Sequence, residues 1–411
     1  MSSLKKISQQ TFWQIIGKGV TAFSTFIILG VVARAYGEAG TGVFTLALAY
    51  LAMFFLIADF GFNAHLLRKG IGYRVQGVVE WQKLLGTRIL WSGLLVILAI
   101  LLLPLWPFTT PEFALTVSLG SFAILGAAMF ITSNLIFQAK LSYDRSVIAS
   151  SVGTLVYLAL LVGLSKQGAS IPWLVFVAGL GWLVIGVVSL LLVKKYVAKL
   201  APQFDLKFSL NLIKQSWPIA ATLTLNVLYF RADAFILAYL KGESQAGVYN
   251  IAYSIFQTVI VLPTFIMNSY YPLMLESLKM SKKIFIRQIK LAMLTLFGIA
   301  CVGSVVTYLL APLIIRYLTG GGFAGATESL QILSLSFPAF FLSSLGMWLL
   351  VALDKYKIML VIYGIGLIFN LAANLIYIPQ YGVYGASWVT VISEYLILGM
   401  QLMILSFWRT K

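Results

Sequence analysis

The sequence has 411 residues, of which 61% are hydrophobic and only 10% are charged, and its formal net charge is +17. Soluble globular proteins carry roughly 25% charged residues, so this composition excludes a chain that folds in water. The apolar residues also form long runs. A hydrocarbon core about 30 Å thick requires about 20 such residues per helix. The sequence therefore predicts an all-α integral membrane protein.

Apolar stretches of spanning length recur along the whole chain and are separated by short polar connections. We predict about twelve transmembrane helices, at roughly residues 11–33, 42–62, 87–107, 113–137, 147–165, 171–193, 216–239, 246–273, 291–315, 329–352, 358–378 and 384–407. The connections are too short to fold as domains outside the membrane.

The basic residues indicate how these helices are oriented. With both termini in the cytoplasm, 23 of the 29 Lys and Arg residues lie on the cytoplasmic side, 4 lie on the other side, and Lys18 and Arg231 lie within predicted helices. This asymmetry follows the positive-inside rule. The net charge therefore indicates topology. It does not indicate a nucleic-acid partner, because the basic residues flank apolar helices instead of forming one patch.

A short motif recurs halfway along the chain. Gly42-Val43-Phe44 matches Gly247-Val248-Tyr249 at an offset of 205 residues. The match is either a coincidence or the trace of a duplicated six-helix half. In the second case the basic connection 194–214 separates an N-terminal lobe, residues 1–200, from a C-terminal lobe, residues 201–411. Two such lobes can rock about a central cavity in alternating access.

Five longer stretches, among them ADFGFNAHLLRKG, resemble one family of transporters. They are residues 33–50, residues 58–70, residues 231–253 with 262–274, residues 311–333 and residues 374–395. Together they resemble the polysaccharide-transporter (Wzx-type lipid-linked oligosaccharide flippase) family of the multidrug/oligosaccharidyl-lipid/polysaccharide (MOP) exporter superfamily.

The resemblance implies a fold, a location and a cargo. The fold is two pseudo-symmetric six-helix bundles, similar to those of multidrug exporters in the superfamily, and the location is the cell inner membrane. The cargo is an oligosaccharide repeat unit on polyprenyl pyrophosphate. It is moved from the cytoplasmic to the outer leaflet for the synthesis of O-antigen or exopolysaccharide.

Five ionisable side chains lie within the predicted helices, where a charge costs at least about 2.5–3.5 kcal/mol. They are Lys18, Asp59, Arg231, Asp233 and Glu394. Arg231 is a candidate for binding the pyrophosphate, because a guanidinium donates two parallel hydrogen bonds to phosphate oxygens. Alternatively, it pairs with an acid on another helix. Lys18 either adds a positive charge to the anion site or pairs with Asp59, which lies at a similar depth.

The three acids are candidates for coupling transport to H⁺ or Na⁺, and structural pairing is the alternative for each. Asp233 lies two residues after Arg231, and this spacing puts the two side chains on different helix faces. Asp233 therefore needs a partner from another helix. Glu394 is isolated in the sequence, so its partner also lies on another helix. Asp59 is the third member of this group.

Neutral polar residues recur at helical spacing. Asn134 and Gln138 share one helix face, and Asn370 and Asn374 share another. Their side chains are possible contacts for sugar hydroxyls. The alternative is that they donate hydrogen bonds between helices.

Two other functions compete with the flippase. A cation-coupled multidrug exporter has the same superfamily fold, but Arg231 favours an anionic cargo. A membrane saccharide polymerase or ligase needs catalytic groups at the external surface, where the connections are short. We therefore predict a transporter that is not an enzyme, is a monomer, and has no cofactor and no metal site. A single histidine, His65, and a single cysteine, Cys301, are too few to indicate a metal site.

Overall fold

The computed structural model describes residues 3–68, 77–106, 109–197, 199–353 and 355–409. These residues form α-helices and no β-strand, which confirms the all-α prediction. In chain order the helices are α1 (Ser3–Asp59), α2 (Phe62–Arg68), α3 (Gly77–Leu101), α4 (Pro111–Gly120), α5 (Ala123–Ala139), α6 (Tyr143–Lys166), α7 (Ile171–Val193), α8 (Leu206–Lys241), α9 (Glu243–Ile260), α10 (Leu262–Met280), α11 (Lys282–Thr319), α12 (Ala326–Ser334), α13 (Phe337–Ala352) and α14 (Tyr356–Arg409).

Within the described ranges, eight helical stretches are long and apolar enough to cross a membrane. A ninth is obtained if α12 and α13, which meet at a bend of 45°, form one span. The chain is therefore a multi-pass membrane protein. Each of the twelve predicted spans overlaps one helix or two consecutive helices. The count of twelve and the cytoplasmic location of the termini stay predictions.

The two longest helices are each interrupted at a glycine. α1 has 57 residues and breaks at Gly37, where φ is 64° and ψ is −164°. α14 has 54 residues and breaks at Gly382, where φ is 54° and ψ is −131°. Residues with a Cβ rarely adopt these positive φ values, so glycine lets one helical arm end and a second begin without an intervening loop.

The chain divides into two compact units. The first contains the residues up to Tyr36 together with Val43–Phe230, and the second contains Gly37–Gly42 together with the residues from Arg231 onward. α8 thus begins in the first unit and ends in the second. The division into lobes at residues 200 and 201 stays a prediction.

Each unit has a core that positions polar side chains. In the first unit, buried side chains from α2, α3, α5 and α7 pack with the first part of α8; they include Phe62, Trp81, Leu135, Val193 and Leu212. The Trp81 indole also donates a 3.0 Å hydrogen bond to the Thr132 carbonyl.

In the second unit, aromatic rings of α9 and α13 stack in a row. The Tyr249 and Tyr253 ring centroids are 5.3 Å apart, and those of Phe256 and Phe337 are 5.6 Å apart. This stack fixes the face of α9 that points toward Asp233.

Candidate functional site

Asp233 is the buried acid around which three helices of the second unit meet. Its side chain is on α8 and the residue is 2% exposed. The Tyr249 hydroxyl of α9 donates to Oδ2, and the Ala234 N–H donates to Oδ1 at 2.8 Å. The Thr390 hydroxyl of α14 lies 3.5 Å from Oδ2. The hydrogen-bond donors to the carboxylate are thus neutral, and the positive charge of Arg231 acts on it electrostatically. Burial of a carboxylate favours the binding of a proton or a cation.

Arg231 contacts a different neighbour from Asp233, as their i, i+2 spacing predicts. Its Nη2 atom is 3.4 Å from Oε1 of Gln257 on α9, and its side chain is partly buried. Gln257 is neutral, so this long hydrogen bond does not neutralise the positive charge of the guanidinium. A guanidinium in this condition is suited to an anionic ligand.

Glu394 and the two asparagines continue the polar region along α14. Asn374 Nδ2 donates to Asn370 Oδ1 at 3.0 Å, and Asn370 Nδ2 lies 3.2 Å from the Ser393 hydroxyl. The bond between Asn370 and Ser393 joins the two arms of α14 on either side of Gly382, whereas Asn374 and Asn370 lie on the same arm. Glu394 follows Ser393 and is 3% exposed. Asn370 therefore forms a hydrogen bond between the helical arms and Asn374 supports Asn370, and the contact of both with sugars stays a prediction.

Asp59 pairs with Arg88, which is one of the 23 basic residues that the sequence places on the cytoplasmic side. Arg88 Nη2 lies 2.8 Å from Asp59 Oδ1 and 3.0 Å from Asn63 Oδ1, and its Nη1 lies 3.3 Å from the Thr132 hydroxyl. The suggestion that Lys18 is the partner of Asp59 is therefore wrong: in the ranges that the structure describes, the ion pair of Asp59 is with Arg88, and Lys18 is exposed.

The physical reason is the position at which α3 begins. It starts at Gly77, ten residues before the predicted span, so Arg88 lies eleven residues into a helix and not at its first turn, and it is 1% exposed. The polar residues Glu80 and Lys83 hid this part of the helix from a hydropathy scan. The signal that was present is the spacing of Trp81, Leu84, Leu85 and Arg88 on one helical face.

The remaining candidates lie on the helices of the first unit. Asn134 of α5 accepts a 2.9 Å hydrogen bond from the Ser146 hydroxyl of α6, which joins two helices. Gln138, one turn later, is partly buried. Lys18 is on the first arm of α1. Their predicted roles toward an anion or a sugar stay predictions.

Comparison with known proteins places this fold and these residues in a family. The sequence profile described as "Polysaccharide biosynthesis protein" matches residues 7–278, which is more than half of the chain. The chain belongs to this family. The MatE profile matches residues 218–376 as well, so the second half of this polysaccharide biosynthesis protein family member is similar to a second family of the kind that the resemblance implies.

One relative of this family member is the "Putative O-antigen transporter" of Shigella dysenteriae. It is 26% identical over 282 residues, which are 68% of this chain and 69% of the relative.

Solved structures with the same fold are transporters and flippases. The lipid II flippase MurJ in an inward closed conformation has a TM-score of 0.77 at 16% identity, over 97% of this chain and 87% of its own. A MOP superfamily transporter from Pyrococcus furiosus has a TM-score of 0.66 at 14% identity, over 98% and 95% of the two chains. These similarities confirm the MOP fold. The relative and the solved structures named here are transporters and flippases, not enzymes.

Proposed function

We propose that this chain is a flippase for a polyprenyl-pyrophosphate-linked oligosaccharide. It moves the repeat unit from the cytoplasmic to the outer leaflet of the inner membrane by alternating access, and surface polysaccharide synthesis then uses the unit. The observation that carries the proposal is the family match over residues 7–278. The named function of the Shigella dysenteriae relative supports the same class of cargo.

Arg231 is the residue that we assign to the pyrophosphate. Its guanidinium is partly buried and its hydrogen bond is to the neutral Gln257 side chain. A pyrophosphate that crosses a low-dielectric region needs a counter-charge, because an unpaired ion is prohibitively costly there. Lys18 provides a second positive charge in this proposal.

Asp233 of α8 is the residue that we assign to ion coupling. Glu394 is the second acid in this proposal, and it lies on α14 one turn after Thr390, which contacts Asp233. Asp233 is buried and its hydrogen-bond donors are neutral, so binding of H⁺ or Na⁺ would neutralise a buried charge. One elementary charge that moves down the membrane potential releases about 2.3 kcal/mol per 100 mV. A single coupled ion is therefore sufficient to bias transport toward the outer leaflet.

A cation-coupled multidrug exporter is the second candidate, because the MatE profile matches residues 218–376. The two functions are separated by transport in proteoliposomes. One set receives a polyprenyl-pyrophosphate-linked oligosaccharide in one leaflet, and a second set receives a lipophilic cationic dye. The flippase proposal predicts transfer of the lipid-linked saccharide and no protein-dependent movement of the dye. Movement of the dye alone would replace the proposal with the exporter.

A further inference from the structure

The segment that joins α7 to α8 is held firmly against α3 in the first unit. Gln82 Nε2 donates to the Lys199 carbonyl at 3.0 Å, and the Gln203 N–H donates to the Gln82 carbonyl at 3.0 Å. Lys83 Nζ forms a 2.6 Å ion pair with Asp205, which also caps α8 by accepting from the Phe208 N–H. The segment therefore has a fixed position on the unit.

The fit between α3 and this segment is also close. A Cβ on Gly86 would lie 2.1 Å from the Gln203 carbonyl oxygen, so the two backbones touch at this glycine. At the next residue of α3, the hydroxyls of Thr87 and Ser209 share a 2.7 Å hydrogen bond. We call residues 194–217 the connector surface; residue 198 lies outside the described ranges.

The connector surface carries a strong excess of positive charge. Its exposed basic residues are Lys194, Lys195, Lys199, Lys207 and Lys214. Its acid is Asp205, which is already engaged by Lys83. The lysines therefore face the surroundings without an acid of the same surface to neutralise them.

Large apolar side chains are exposed between these lysines. Phe204, Leu206, Leu210 and Trp217 are 59–72% exposed. Leu206, Leu210 and Trp217 follow one another at i, i+4 and i+11, which puts them on one stripe of α8. Lys207 flanks this stripe, so the surface combines an apolar stripe with a basic edge. This combination is typical of helices that lie in the membrane interface.

The length of α8 shows where this stripe lies. At about 1.5 Å per residue its 36 residues extend about 54 Å, whereas the hydrocarbon core is about 30 Å thick. The predicted span starts only at residue 216, so the first ten residues of α8, about 15 Å of helix, precede it. We therefore expect Leu206 and Leu210 to lie at the level of the lipid headgroups.

We propose that the connector surface binds the headgroups of anionic phospholipids in the leaflet that it faces, which the basic residues predict to be the cytoplasmic one. The lysines attract the phosphate charges, and the exposed apolar side chains insert between the headgroups and the acyl chains. A water-soluble acidic protein would satisfy the lysines but would leave the apolar stripe at lipid level unexplained. The proposal does not depend on the cargo.

Native mass spectrometry of the purified full chain with phosphatidylglycerol or phosphatidylcholine tests this proposal. The variant Lys199→Gln/Lys207→Gln/Lys214→Gln removes three charges from the surface. The matched control Lys166→Gln/Lys241→Gln/Arg316→Gln removes three exposed charges on the predicted opposite side. Each basic residue near an anionic surface contributes about 1 kcal/mol, which is roughly fivefold in affinity.

We expect the triple variant to bind phosphatidylglycerol about 100-fold more weakly at low salt, and the control to bind it as the wild type does. Phosphatidylcholine binding should not distinguish them. Because the replaced side chains are exposed, circular dichroism should show folded protein. If the triple variant does not fold, the single change Lys214→Gln should still weaken binding about fivefold. Phe204→Ser/Leu210→Ser should weaken binding without any change of charge.

Equal phosphatidylglycerol affinities for the triple variant and the control would overturn the proposal. A triple variant that no longer binds a polyglutamate peptide but still binds phosphatidylglycerol as the wild type does would also overturn it. That result would assign the surface to an acidic protein partner.

Discussion

Gly42 and Gly247 lie in the two copies of the repeated motif, and each packs against a backbone carbonyl of the other copy. A Cβ on Gly42 would lie 1.9 Å from the carbonyl oxygen of Glu243, and a Cβ on Gly247 would lie 2.2 Å from that of Glu38. The two glycines are 205 residues apart, and so are the two glutamates. The second contact is therefore the first one with the two copies of the motif exchanged.

The same offset relates two further glycines. Gly37 has φ 64° and ψ −164°, and Gly242 has φ 88° and ψ 173°, and each precedes a helix. A coincidental match of three residues in the sequence would not extend to backbone conformation and to reciprocal contacts. These observations favour a duplication over chance.

Replacing either Gly42 or Gly247 with alanine should lower the stability of the folded protein. The Cβ would overlap a backbone carbonyl, which cannot rotate away as a side chain can, and overpacking typically costs about 1–3 kcal/mol. Thermal unfolding in detergent measures the effect. Gly298→Ala is the control, because nothing lies within 4 Å of its Cβ position and alanine favours a helix by up to about 1 kcal/mol. A Gly42→Ala protein as stable as Gly298→Ala would contradict the close packing.

The pair of Arg88 and Asp59 should contribute more to stability than any contact of Lys18. Arg88→Met leaves Asp59 and Asn63 without their buried donor, and loss of one member of a buried pair costs about 3–5 kcal/mol. We expect the lower end of this range, since the Asp59 side chain is 26% exposed. Chemical denaturation should show that Asp59→Asn reduces the cost of Arg88→Met. A larger loss with Lys18→Gln than with Arg88→Met would contradict the assignment.

Asp205 should make the attachment of the connector surface sensitive to acid. Its pKa lies below the ordinary value of 3.8, chiefly because Lys83 donates a hydrogen bond to the carboxylate, and the Phe208 N–H adds a second one. A depressed pKa in the folded protein means that the stabilisation is present above pH 3.8 and is lost as the pH falls below it.

Asp205→Asn tests this pH dependence, because asparagine also caps helices but carries no charge. The difference in unfolding temperature between the wild type and Asp205→Asn should be constant from pH 7 to pH 5. It should then shrink as the pH falls below 3.8. The same difference at pH 3 and pH 7 would show that the charge of Asp205 has no part in holding the segment.

Asp233→Asn should uncouple transport from the ion gradient. Asparagine keeps the size of the side chain and can still accept from the Tyr249 hydroxyl, but it has no charge for H⁺ or Na⁺ to neutralise. Transport by wild type should increase under an imposed gradient, and transport by Asp233→Asn should not respond. Glu328→Gln, in an exposed position at the start of α12, is the control. A gradient response that survives Asp233→Asn would move the coupling role elsewhere, with Glu394→Gln as the next variant.

The helical fold was predictable because apolar runs of spanning length can form little else in a membrane. Helical spacing also predicted that the side chains of Arg231 and Asp233 would contact different residues. Helical spacing did not predict the partner of Asp59. The helix α3 begins in a stretch that contains Glu80 and Lys83, and hydropathy alone does not distinguish a buried Arg88 from a loop residue. The bonds of Asn370 depend on how the two arms of α14 fold back at Gly382, which is a tertiary contact with no local signal.

The most direct test of the account is transfer of a polyprenyl-pyrophosphate-linked oligosaccharide between leaflets in proteoliposomes, compared for the wild type, Arg231→Gln and the exposed-site control Arg316→Gln. A charge-assisted hydrogen bond contributes about 1.5–3 kcal/mol, so Arg231→Gln should slow transfer by roughly 10- to 100-fold. Arg316→Gln should retain the wild-type rate. Folded wild-type protein that moves no lipid-linked oligosaccharide under an imposed H⁺ or Na⁺ gradient would contradict the flippase function, and an Arg231→Gln rate equal to that of the wild type would contradict the assigned anion site.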